Sequence, residues 1–92
     1  MLVTLEDTRM SYEKVTKNRS QIIIGTKQAL KAMHNGEISE VIIAEDANRQ
    51  ITQKVVSLAN ELGIPYQHVD SMKTLGAACG IEVGTSTVAL RK

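Results

Sequence analysis

A chain of 92 residues, 42% hydrophobic and 23% charged, has the composition of one ordinary globular domain, which disfavours disorder, a coiled coil or a collagen-like repeat. No apolar run approaches the ~18 residues of a membrane helix, and Glu6 and Asp7 stand where a secretory leader needs an apolar stretch, so a soluble cytoplasmic protein with no membrane partner is expected. The formal net charge of +1 hides a segregation: Lys14, Lys17, Arg19, Lys27 and Lys31 occupy residues 14–35 with no acid among them, whereas residues 36–70 hold six acids against Arg49 and Lys54. That asymmetry points to an anionic partner on one side, or to a plain solvated surface.

Taken in chain order, residues 1–9 show no hydrophobic period and are expected to form a flexible N-terminal extension to a single domain over residues 10–92. A helix is expected over 12–17. The β-branched run Ile22, Ile23, Ile24 predicts a buried strand that stops at Gly25, and a helix over 27–35 ends at Gly36. Val41 to Ala44 predicts a second buried strand. In the next helix, over 51–62, Ile51, Val55, Leu58, Ala59 and Leu62 make one apolar stripe that Gly63 closes. Residues 66–69 follow Pro65 as a third strand. A last helix over 72–79 starts at Ser71 and ends at Gly80, and residues 87–90 supply a fourth strand. Strands alternating with helices in this way predict an α/β fold: a three-layer α/β/α sandwich around a four-stranded mixed sheet. With no Phe or Trp and only Tyr12 and Tyr66, the core must be aliphatic and base stacking on aromatic platforms is a poor expectation.

Two segments carry chemistry. In the stretch from Gly25 to Asn35, about 100° per residue puts Lys27, Gln28, Lys31, His34 and Asn35 on one face and Ala29, Leu30, Ala32 and Met33 on the other. Lysines at a helix start oppose the helix dipole, while the unpaired N–H groups there favour an anion, so a use outside stability stands beside the plain reading of a solvated face. Gly25 would let a ligand approach the backbone closely. The second segment is Gly80, Ile81, Glu82, Val83, Gly84, Thr85, in which two β-branched residues sit in a loop. Ile81 and Val83 are either satellite core or an apolar platform for a base or a partner.

Other candidates are weaker. His34 and His68 lie on different elements with no accompanying ligand spacing, so no metal and no cofactor is expected. Cys79 reads as a small buried thiol, no catalytic residue can be assigned, and an enzyme is not expected. Asp46 reads as a cap for the following helix or turn.

The blocks Ile24 to Lys31, Val41 to Asp46, Ile64 to Tyr66 and Leu75 to Gly80, in this order over residues 10–90, closely resemble the L-seven-Ae ribosomal-protein family, in particular its small bacterial members. The resemblance implies an α/β/α sandwich that binds kink-turn RNA, a helix and internal-loop motif bent at tandem sheared G·A pairs. By that resemblance Gly25, Thr26, Lys27, Gln28 and Lys31 would read the groove at the sheared pairs, and Ile81, Glu82 and Val83 would shelter a protruding nucleotide. Archaeal and eukaryotic members usually carry Asn-Glu where this chain has Lys27 and Gln28, so affinity or RNA choice would differ. The implied partners are kink-turn RNA, in ribosomal RNA or structured mRNA elements, and the ribosome, with the protein acting as a monomer. A ribosome-associated protein-interaction module without kink-turn specificity is the alternative.

Overall fold

The computed structural model describes residues 5–92. Its elements run α1 (Leu5–Lys17), a 3₁₀ turn (Arg19–Gln21), β1 (Ile22–Ile24), α2 (Thr26–His34), β2 (Ile38–Ala44), α3 (Arg49–Leu62), β3 (Tyr66–Val69), α4 (Met72–Cys79) and β4 (Thr87–Arg91). The strands form one sheet in the order β1-β4-β2-β3, with β2 and β3 parallel and the two pairings of β4 antiparallel.

Alternation along the two central strands divides the core into two layers. Ile42 and Ala44 of β2 and Val88 and Leu90 of β4 pack with Val15 of α1 and Leu75, Ala78 and Cys79 of α4. On the other face Val41, Ile43 and Ala89 pack with Ala29, Ala32 and Met33 of α2 and Val55, Leu58 and Ala59 of α3. Helices therefore cover both faces, and the three-layer α/β/α sandwich with a four-stranded mixed sheet is the observed architecture.

Three details differ from the sequence reading. Helix α1 starts at Leu5, so residues 5–9 of the expected extension are helical, while residues 1–4 lie outside the described residues. Val15 is fully buried and Ser11 nearly so, and a helix nucleated by those contacts extends N-terminally at little cost per residue. Strand β1, read as covered on both faces, is an edge strand whose three isoleucines are each only half-buried. Helix α3 begins at Arg49 behind Asn48, whose side chain accepts the Gln50 N–H at 2.8 Å. Asp46 is not its cap. Its Oδ1 instead accepts the Met72 N–H at 2.8 Å, tying the end of β2 to the start of α4.

Candidate nucleic-acid interface

Gly25 joins β1 to α2 with φ 100° and ψ 148°, a conformation essentially closed to residues with a Cβ. Its N–H donates to the Thr87 carbonyl at 3.0 Å, and its own carbonyl accepts the Ala29 N–H at 3.0 Å as the helix begins. Nothing lies within 4 Å of where a Cβ would stand, so glycine is needed here for the turn and not for space. No side chain caps this helix. The backbone N–H groups of Thr26, Lys27 and Gln28 accordingly find no partner among the described residues.

Thr26, expected among the groove readers, is part-buried and spends its hydroxyl within the protein. Its hydroxyl lies 2.9 Å from Ser86 Oγ and 3.1 Å from Thr87 Oγ1, and Thr87 is fully buried. This cluster satisfies a core hydroxyl and clamps the first residue of α2 to the segment that follows the 80–85 loop. Two stretches some 60 residues apart in sequence are thereby held side by side. Lys27, Gln28 and Lys31 are exposed, and among the described residues none of them makes a side-chain hydrogen bond or an ion pair. The one ion pair among those residues is Lys14 to Glu40 at 2.7 Å, which neutralises a member of the basic segment with an acid of the following one.

The loop after α4 is fixed from beneath. Gly80, at φ 85°, ends the helix, and Arg19 donates from Nε to the Ala78 carbonyl at 2.9 Å and from Nη2 to that of Ala77 at 3.4 Å. The Ile81 N–H donates to Gly76 and the Thr85 N–H to Met72, each at 3.1 Å, so the loop folds back across α4. It crosses at Gly76, where a Cβ would collide with the Val83 carbonyl oxygen and stand 3.0 Å from Gly84 Cα. Ile81 is half-buried against the α1/α4 core, which is the satellite-core outcome for that residue. Glu82 is exposed and Val83 is 69% exposed, an apolar side chain left bare on a pinned loop.

The remaining candidates lie apart from these two segments or beneath them. Cys79 is buried, and that burial raises its thiol pKa against the opposing charge of Arg19. His68 meets Tyr66 edge-on with ring centroids 5.8 Å apart, and His34 is exposed. Among the described residues no three His, Cys, Asp or Glu side chains gather where they could hold a metal, and no helix is long and apolar enough to cross a membrane. Residues that local patterns did not reveal are Arg19, Gly76, Ser86 and Thr87. Ser86 and Thr87 stand in a Ser/Thr-rich stretch, but nothing local to it names Thr26 as their partner.

Residues 8–92 match the Ribosomal protein L7Ae/L30e/S12e/Gadd45 family. The chain belongs to this family. It is 53% identical over 83 residues to an RNA-binding protein of Halalkalibacterium halodurans, covering 90% of this chain and 100% of that one. The RNA-binding protein YbxF of Geobacillus stearothermophilus is likewise 53% identical over 81 residues, with 88% and 98% covered. Among solved structures, the Giardia lamblia 15.5kD RNA binding protein superposes with a TM-score of 0.93 at 29% identity, covering 99% of this chain and 78% of that chain. The family assignment implied by the Gly25 and Leu75 blocks therefore holds across nearly the whole domain.

Proposed function

We propose that this protein binds RNA and stabilises kink-turn motifs, acting as a monomer in the cytoplasm and in association with the ribosome. The observation that carries this reading is the pairing, through Thr26, Ser86 and Thr87, of an uncapped and partner-free helix start with a loop, held by backbone hydrogen bonds to α4, that exposes Val83. Its relatives named RNA-binding proteins support the ligand class. An A-form major groove is too deep and narrow for side chains, and a kink opens it. Lys27 and Lys31 would donate to guanine acceptors or phosphate, and Gln28 can both donate and accept at a base edge. Val83, with Glu82 beside it and the exposed part of Ile81, would cover a nucleotide displaced by the bend.

No chemical step is required of such a protein. Binding the kinked state more tightly by ~3 kcal/mol shifts its population more than a hundredfold. The test is titration against a minimal kink-turn RNA and against a control whose sheared G·A pairs are replaced by Watson–Crick pairs, at one fixed salt concentration. Binding to the kink-turn alone is the expected result. Equal affinity for both RNAs, or none for either, overturns the reading and favours a protein partner on the same basic surface.

A further inference from the structure

Between α2 and the open edge of β1 lies a groove of about 430 Å³ that shares Gln28 and Lys31 with the first segment and runs beyond it to Glu37 and Arg91. Its polar lining is Gln28, Lys31, Asn35, Glu37 and Arg91, with the isoleucines of β1 as its apolar wall. We propose that this groove holds the phosphodiester backbone of one stem of the bound RNA, with Arg91 as its distal contact. The inference rests on the RNA-binding reading and extends the interface from the start of α2 to the end of β4.

The geometry favours a polyanion lying lengthwise. Gln28, Lys31 and the C-capping Asn35 fall at i, i+3 and i+7, one continuous stripe along α2 and its cap that rises about 10.5 Å. Projected on a duplex axis, where one strand advances ~3.4 Å per phosphate, that length reaches a short run of at most two or three successive phosphates. Arg91 belongs to the same face. Along β4 the side chains alternate, so with Ala89 packed beneath α2 and Val88 and Leu90 on the opposite side, Arg91 emerges beside the C-terminal end of α2. Its guanidinium presents five donors in a planar fork suited to phosphate oxygens. Among the described residues neither Lys31 nor Arg91 has a carboxylate within ion-pair distance, and Glu37 is the only acid lining the groove.

The wall adds further donors. With the Gly25 N–H bonded to the Thr87 carbonyl, the alternation of the antiparallel β1–β4 ladder turns the backbone N–H and C=O groups of Ile22 and Ile24 toward the open edge. An added peptide strand is the competing occupant of such an edge. Three residues closed in by a 3₁₀ turn and a helix make a short template, and cationic side chains beside it are the usual device against strand addition. A phosphate backbone uses those same cations.

The test compares wild type, Arg91→Gln and Glu37→Gln on a kink-turn RNA of full stem length, and repeats the titrations with single phosphates of each stem replaced by neutral methylphosphonates. Arg91→Gln is expected to weaken binding about fivefold to tenfold and to lower the slope of log affinity against log salt by about one. Glu37→Gln is expected to tighten binding about twofold to threefold, a gain that misfolding cannot produce. Neutralising the contacted phosphate should weaken wild type and leave Arg91→Gln unaffected. Unchanged affinity for both variants, or a loss in Arg91→Gln that no methylphosphonate reproduces, overturns the groove assignment while the kink-turn reading stands. If wild type itself fails to discriminate against the Watson–Crick control, both fall together.

Discussion

Helices α4 and α2 treat their N-terminal donors in opposite ways. At the start of α4 the Ser71 hydroxyl accepts the Thr74 N–H at 3.2 Å and Asp46 accepts that of Met72 at 2.8 Å. The Ser71 N–H donates to the Tyr12 hydroxyl at 3.3 Å, and that hydroxyl donates to Asp70 at 2.6 Å. Strand β2, helix α1 and the β3–α4 turn thus converge to close one helix start. At the start of α2 there is a glycine, no cap, and an exposed Lys27 that the helix dipole disfavours. The closed start ties three elements together, and the open one leaves its donors without a partner among the described residues, as the proposed RNA contact requires. Changes at the first should move stability alone, and changes at the second binding alone.

The largest expected effect lies where the two regions share a part. Gly76 sits in the middle of α4, yet its missing Cβ is what lets the 81–84 loop cross the helix. Gly76→Ala forces the Val83 carbonyl away and should cost about 3 kcal/mol of stability, at the upper end of overpacking effects. RNA affinity should fall as well, because the loop carrying Val83 moves with it. Denaturant unfolding paired with RNA titration of the folded fraction measures both; a fully stable variant with full affinity would show that the loop does not rest on this contact.

Next in size is Lys31→Ala, which should lose about 2 kcal/mol of RNA affinity with an unchanged melting temperature, since its side chain is exposed and unpaired within the protein. Unaltered affinity would remove Lys31 from the interface. The converse is Asp46→Ala at the closed start. It should destabilise the domain by about 1 kcal/mol, the usual scale for a lost helix cap, and leave RNA affinity alone. A binding defect there with stability intact would dissolve the contrast between the two helix starts.

The contrast itself was only half legible in the sequence. Periodicity located all four strands and the bounds of α4, because runs such as Ile22 to Ile24 and punctuation such as Ser71 and Gly80 are local signals. The amphipathic split of α2 likewise predicts that Lys27, Gln28 and Lys31 are exposed, as they are. What stayed hidden is long-range. Asp46 precedes α3 in the chain, so local capping preference assigns it there, whereas the parallel pairing of β2 with β3 carries it to α4. Thr26 is expected among the readers by the family resemblance, and nothing local to it announces that Ser86 and Thr87, some 60 residues away, bond its hydroxyl. The edge position of β1 depends on β4 inserting between it and β2, an order that no run of isoleucines encodes.

The smallest effect is a test of pH at the closed helix start. Burial, then the hydrogen bond to Asp70, pushes the Tyr12 phenol up to about 12 from its ordinary 10.0. Both states keep the proton below pH 10, so the contribution of Tyr12 is then fully present. Between about 10 and 12 the unfolded chain ionises first while the folded one holds its proton, and stability falls as pH rises through that window. Tyr12→Phe lowers stability at neutral pH by removing the hydroxyl from Asp70 and Ser71, but it also removes this alkaline slope. The stabilities of wild type and variant should therefore converge above pH 10, with other groups that titrate there cancelling in the difference. Parallel curves across that range would mean that the phenol is as free to ionise in the folded domain as in the unfolded chain, and that the closed start depends on Asp46 and Ser71 without it.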